Sequence, residues 1–467
     1  GVEDIPGTVL AEGIRWEWET FPEYLDALAR MPRALDIGAQ IPHSALRTYV
    51  MGERGITHDE ATPDDIRQMI AAVKEGLQAG ALGFSTSRTF IHKYETRKFP
   101  PGTFATPDEI LGIAKAIKEV GHGVFQMTSN HYQMETEFPW LRQIAEDNNL
   151  PVAFALVQTD GTAENWRRLL QNLDQAHKDG VPIYGAIGGR PAGILMAWQG
   201  SIHPFMAHDV WKQLAPLAWE EKLKRLRDPQ VRAQLTDMNA LLASAEFDSR
   251  LAYLTQSFQK MYALGAEPDY EPPAELSIAA ISKSDGRSPL EIAYDMLMEQ
   301  DGKDIIYCPR FNYAYNDLSQ LHTQLQHPNT MMSLADGGAH CGYICDVSVP
   351  TYMLTHWVRD RQRGPRLPLE HIVRKQTMDT ANIYGMRDRG QLKPGYLADV
   401  NIIDFDKLRL PPPYVAFDLP AGGRRLNQTA EGYLATLKNG QVIMQNGKPT
   451  GALPGGLVRG PQARPVA

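Results

Sequence analysis

The stretch Met331-Met332-Ser333-Leu334-Ala335-Asp336-Gly337-Gly338-Ala339-His340 combines the residue types most suited to chemistry. An apolar run stops at an acid, two glycines follow, and a histidine stands four residues after the acid. A buried strand that delivers a carboxylate to the lip of an α/β sheet has this form, and catalytic groups in such folds sit at the C-terminal ends of strands. Glycines beside the acid allow backbone or substrate to approach closely. Asp336 is the first candidate for general acid–base work; the alternative is an acid that caps the following turn. His340 is placed to orient Asp336 or to touch substrate.

Other candidates also follow strand-like runs. Arg190 comes after Gly188-Gly189 and Arg88 after Ser85-Thr86-Ser87. Each has the fork geometry to clamp a substrate carboxylate, or else forms an ion pair in the rim. Asn312 and Tyr313 follow the run 304–309, where a side chain either donates to a developing oxyanion or serves the turn and the packing. His131 lies just past the run 122–129, and His203 opens a helical stretch. Met127, Met196, Trp198, Phe205 and Trp211 either line an apolar substrate pocket or fill the core.

The elements that must position these groups follow a rhythm. Thr62-Pro63-Asp64-Asp65 and Thr106-Pro107-Asp108-Glu109 read as helix starts: a capping threonine, proline in the first turn, then acids at the positive end of the dipole. Helices are expected over 13–31, 62–78, 106–120, 135–148 and 163–179. Strands are expected over 33–42, 81–85, 122–129, 151–157 and 181–187. This βαβ alternation predicts a parallel sheet with helices outside, and a (β/α)₈ barrel better than an open sheet. No Gly-x-Gly-x-x-Gly fingerprint supports a dinucleotide fold. Residues 204–263 break the rhythm as a helical insertion, read as packed structure or as a lid or oligomer contact. It resumes with a strand at 277–281, a helix at 288–300, a strand at 304–309, a helix at 317–326, the Asp336 strand, and helices at 350–361 and 368–384. The tail reads as a turn and strand over 390–404, a hairpin over 433–446 turning at Asn439-Gly440, and an extended arm placed to lie on a neighbouring subunit. The division expected is a barrel over 1–388 and a β-sandwich part with the arm over 389–467.

Bulk composition narrows the partners. The chain has 467 residues, 43% hydrophobic and 22% charged, with a formal net charge of -8. A surface of that sign argues against nucleic acid and fits a small-molecule substrate. Cys308, Cys341 and Cys345 are no disulfide framework, so a reducing, cytoplasmic compartment is expected. Cys341 and Cys345 are read as buried thiols, with a metal role as the alternative. No stretch reads as a signal peptide or a membrane span, so no membrane partner is expected. The opening, Gly1-Val2-Glu3-Asp4-Ile5-Pro6-Gly7, reads as mid-loop.

The segment Gly390–Asp404 resembles the close of amidohydrolase-superfamily enzymes, in which the chain returns from the barrel into a small β-sandwich. The segments 62–106, around Gly80-Ala81-Leu82-Gly83-Phe84-Ser85-Thr86, and 333–340 resemble the N-acyl-D-amino-acid deacylase (D-aminoacylase) branch, amidohydrolase family 3. The resemblance implies a (β/α)₈ barrel whose first strands lie upstream, a C-terminal β-sandwich, and one or two zinc ions at the barrel mouth. It implies hydrolysis of a linear amide, foremost an N-acyl-D-amino acid, with Asp336 as metal ligand and general base and acid. Arg190, Arg88, Asn312, His340 and His131 are the expected substrate contacts. The alternatives are another amide, carbamate or cyclic amide as substrate, or a non-catalytic subunit.

Two departures shape the metal expectation. None of the 13 histidines has another two residues away, so the family's His-x-His pair is expected upstream of Gly1 or on a second chain. The runs 124–129 and 152–158, which match the family's histidine-bearing fifth and sixth strands, hold no histidine. One metal held by the upstream pair and Asp336 is the economical expectation, with a homo-oligomer as the assembly.

Overall fold

The computed structural model describes residues 3–93, 99–244, 247–333, 335, 337 and 339–465. Five strands come first: β1 (Ile41–Pro42), β2 (Gly83–Ser87), β3 (Val124–Thr128), β4 (Val152–Ala155) and β5 (Ile183–Gly188). Three more, β6 (Gly193–Met196), β7 (Tyr262–Ala263) and β8 (Ile306–Pro309), precede β9 (Thr330–Ser333). The first five pair in parallel in chain order, and β9 joins β5, giving β1-β2-β3-β4-β5-β9. This is the wall of a TIM-type barrel, and β1 and β9 are its edges among the described residues.

Local chemistry explains the rhythm. Helix Pro63–Gln78 starts at a capping box: the Thr62 hydroxyl accepts from the Asp65 amide, and the Asp65 carboxylate accepts from the Thr62 amide at 2.8 Å. Helix Pro107–Val120 ends at Gly121, whose φ of 89° few other residues adopt without strain. The helices bury Ile113, Ile117, Leu141, Ile144, Leu169 and Leu173 against Phe84, Phe125, Phe154 and Ile187 on the outer side of the sheet. A small cluster of Val124, Ala153, Ala186 and Met331, with Tyr184 and Tyr384 against it, fills the other side.

Several expectations are corrected. The expected helix over 13–31 is two helices, Gly7–Gly13 and Phe21–Arg30. The strand expected over 33–42 is only Ile41–Pro42. Residues 277–281 are not a strand but open helix Ile278–Asp285, capped by Ser277. The strand expected over 304–309 forms, as β8, but outside the barrel wall: it pairs antiparallel with β6 and β7. The insertion packs on that second layer, where Trp198 stacks on Phe205 and Trp211 with ring centroids 5.0 and 5.1 Å away. Met196, Trp198, Phe205 and Trp211 are therefore core there, and Met127 is core beneath the barrel helices.

The tail forms β10 (Val400–Ile403), β11 (Tyr414–Leu419), β12 (Gly423–Asn427), β13 (Tyr433–Lys438), β14 (Gln441–Gln445) and β15 (Lys448–Pro449). These make a four-stranded sheet, β10-β13-β14-β15, and the hairpin β11-β12. The expected turn is present, with Asn439 and Gly440 at φ 50° and 78°. The arm lies on its own chain, bridging Arg33 to Gly455, Ile37 to Leu457 and Met386 to Gln462. No helix among the described residues is long and apolar enough to cross a membrane.

Candidate active site

The C-terminal ends of β2, β3, β5 and β9 define one rim. Ser87 is level with Thr128, and Gly188 with Ser333. Side chains alternate along a strand, so the positions sharing the side of Val124, Ala153, Ala186 and Met331 at the strand ends are Ser87, Thr128, Ala155, Gly188 and Ser333. None is a metal-ligating type. Imidazoles stand on the loops above instead.

His92 bonds through Nδ1 to Ser87 Oγ at 2.9 Å, and its ring centroid is 5.8 Å from that of His340. His340, at φ 48°, places Nδ1 2.8 Å from the Tyr343 hydroxyl, and its amide donates to Glu3 Oε2 at 3.2 Å. His131 follows β3, is 8% exposed, and meets Phe311 edge-on at 5.1 Å. Its buried Nδ1 has no partner among the described residues. Burial first, and the neighbouring His92 second, push the His131 pKa down to about 4. Burial and His340 bring His92 to about 4. Both rings are neutral near pH 7 and keep a nitrogen lone pair.

Arg88, after β2, reaches Glu137 Oε1 at 3.0 Å and the Ala105 carbonyl at 2.9 Å. The other oxygen of Glu137 accepts from the Asn130 amide at 3.1 Å. Burial raises the Glu137 pKa, and Arg88 opposes that rise. Arg88 and Glu137 thus brace the loop that carries His131.

Arg190 is 3% exposed. It donates to Ser348 Oγ at 3.0 Å and to the Cys345 carbonyl, stands 3.5 Å from Asp346, and lies 3.9 Å over the Tyr270 ring. Its guanidinium is engaged with the protein, at the end of the loop that begins at β9. Asn312, fully buried at φ 62°, accepts the Gln158 amide through Oδ1 at 2.8 Å. Its Nδ2 has no partner among the described residues. Hairpin β11-β12 reaches the same loop, where the Leu426 amide donates to the Cys341 carbonyl at 2.6 Å. Cys308, Cys341 and Cys345 are buried free thiols. Asp336 lies outside the described residues.

Sequence reasoning missed two buried networks. His43, after β1, bonds Thr86 Oγ1 at 2.8 Å and Glu109 Oε1 at 2.6 Å, and Arg47 pairs with the other oxygen of Glu109. Glu271 pairs with His356 at 2.9 Å and Arg361 at 3.0 Å. Both sets join residues far apart in the chain. The one local signal was an ionisable residue in an otherwise apolar run, as His43 is after Ile41-Pro42.

Among the described residues, no group of three or more His, Cys, Asp or Glu side chains is arranged to hold an ion. With hydroxyl, methyl or hydrogen at the strand ends, the described set does not fit a metal by itself.

A model of the amidohydrolase family matches residues 3–444. The chain belongs to the amidohydrolase family, a class of metal-dependent hydrolases. Over 431 residues it is 24% identical to an uncharacterised protein of Mycobacterium tuberculosis (strain ATCC 25618 / H37Rv), covering 86% of this chain and 67% of that one. Over 116 residues it is 31% identical to the D-aminoacylase of Alcaligenes xylosoxydans xylosoxydans, covering 25% and 22% of the two chains. Its fold is similar to that of N-acyl-D-glutamate deacylase from Bordetella bronchiseptica, a structure complexed with zinc and a phosphonate inhibitor. The TM-score is 0.56 at 19% identity, over 94% of this chain and 75% of that one.

Proposed function

We propose that this chain hydrolyses a linear amide, an N-acyl-D-amino acid first of all, with Asp336 as the general base toward the attacking water and the general acid toward the leaving nitrogen. The observation that carries the reading is the family match over residues 3–444. The D-aminoacylase and the N-acyl-D-glutamate deacylase among the similar proteins favour the acyl-amino-acid substrate. In the sequence Asp336 comes three residues after Ser333, the last residue of β9, and an acid that follows a barrel strand suits general acid–base work.

Zinc belongs to the same reading, as one ion or two, because a similar structure is complexed with it. The described residues do not complete a site for it. Its expected ligand Asp336 lies outside the described residues. A homo-oligomer and a cytoplasmic location complete the proposal.

Within it, the chain's own groups do defined work. Arg88 and Glu137 hold the His131 loop at one side of the mouth. Arg190 and hairpin β11-β12 hold the loop that follows Asp336 at the other. His131, His340, Asn312, Arg88 and Arg190 are proposed to contact or support the substrate. For Arg190 the support is indirect, through Cys345, Asp346 and Ser348. The test is a panel of N-acyl-D-amino acids, N-acyl-L-amino acids and cyclic imides. Turnover confined to cyclic substrates would sink this reading.

A further inference from the structure

The loop after β2 carries an apolar surface that the catalytic reading leaves unused. Phe90 lies 5.6 Å from Phe99 and 5.9 Å from Phe104 between ring centroids, and Phe99 meets Phe104 edge-on at 5.3 Å. His58 closes the far side, 5.2 Å from Phe104. Despite these mutual contacts, Phe90 is 45% exposed, Phe104 49% and Ile91 41%. Large apolar groups gathered on a rim and left to water mark a place where something apolar binds.

The position says what. Phe90 and Ile91 immediately precede His92, which is bonded to Ser87 at the end of β2 and faces His340. The ledge is therefore continuous with the rim where the amide carbon would sit. Lys93 Nζ lies 4.7 Å over the Phe99 ring, a cation on an aromatic face. The ledge otherwise offers ring faces and the Ile91 side chain.

We propose that Phe90, Phe99 and Phe104 seat the acyl chain of the amide substrate, so that the substrates are N-acyl amino acids with extended aliphatic or aromatic acyl groups rather than N-acetyl compounds. This rests on the amide-hydrolase reading above and names the substrate class within it.

The test is a series of N-acetyl, N-butyryl, N-hexanoyl and N-octanoyl derivatives of one D-amino acid, with kcat/KM measured for the full chain and for Phe90→Ala, Phe104→Ala and Phe104→Leu. Each buried methylene is expected to raise kcat/KM about three- to fourfold until the ledge is covered, from the transfer free energy of a CH₂ group. Both alanine variants flatten that slope, and the leucine variant retains part of it. Melting curves check that each variant is folded. Turnover of the acetyl compound with no dependence on length overturns the ledge and leaves the hydrolase reading standing. A slope that survives in both alanine variants also overturns it, as does concentration-dependent self-association lost in Phe104→Ala. No turnover at any length removes the hydrolase reading and this inference together.

Discussion

Arg190 Nη1 donates to Ser348 Oγ at 3.0 Å and so joins the end of β5 to the far end of the loop that carries Asp336. Ser348 in turn donates to Gln428 Oε1, which also accepts from the Tyr270 hydroxyl at 3.2 Å. The barrel rim, the helix that follows the loop and the C-terminal part are thereby fixed through one arginine.

Replacing Arg190 with methionine is expected to cost about 3–5 kcal/mol of stability, as removal of one member of a buried charge pair does. Arg190→Lys keeps the charge but loses the fork, and is expected to cost less. Urea unfolding measures both. A methionine variant as stable as wild type would show that the contacts to Ser348, Cys345 and Asp346 carry no net stabilisation.

Asp336→Asn removes the proposed proton acceptor without changing its size. The expected loss in kcat is about 10²–10⁴-fold, the usual contribution of a positioned acid–base group, with an unchanged melting temperature. If kcat stays within a few-fold of wild type, Asp336 is a capping residue.

Metal removal separates the enzyme readings. Dialysis against a strong chelator should remove the proposed zinc. Turnover should disappear with it and return on adding zinc, and elemental mass spectrometry follows the metal content. Full activity in metal-free protein would contradict the proposed cofactor.

Acid should destabilise the fold through its neutral histidines. The pKa of His131 falls from 6.5 to about 4 on folding. Above pH 6.5 the ring is neutral in both states. As pH falls toward 4 the unfolded chain takes up a proton that the folded chain refuses, and stability drops by on the order of 3 kcal/mol for this ring. His131→Gln should flatten the loss of stability between pH 6.5 and 4. An unchanged profile would show that His131 titrates normally in the folded protein.

The barrel rhythm was legible because each helix start carries its chemistry in sequence, as Thr62-Pro63-Asp64-Asp65 does, and because parallel strands are short apolar runs. The direction of β8 was not, since an apolar run of four residues reads the same pointing either way. The segment 277–281 reads as a strand by its apolar residues, although Ser277 and Gly286 bracket helix Ile278–Asp285 as caps. The candidate site was legible only in part. Arg190, Arg88, Asn312, His340 and His131 stand out in the sequence as polar residues after strand-like runs, which makes them candidates. Their partners Ser348, Glu137 and Gln158, and His92 beside Ser87, depend on which strands become neighbours, and no local pattern carries that.

The C-terminal arm has a mechanical consequence. Its bridges begin at Arg33 and Ile37, just before one edge strand of the sheet, and reach Met386, beyond the helices that follow the other edge. Arg459 adds ties to the Ala79 carbonyl at 2.7 Å and to Asp26 at 2.6 Å. The last residues thus work as a buckle across an arc of strands whose two margins, among the described residues, do not pair with each other. Force applied at either margin is shared with the opposite one, and loosening the buckle lets the two margins come apart separately.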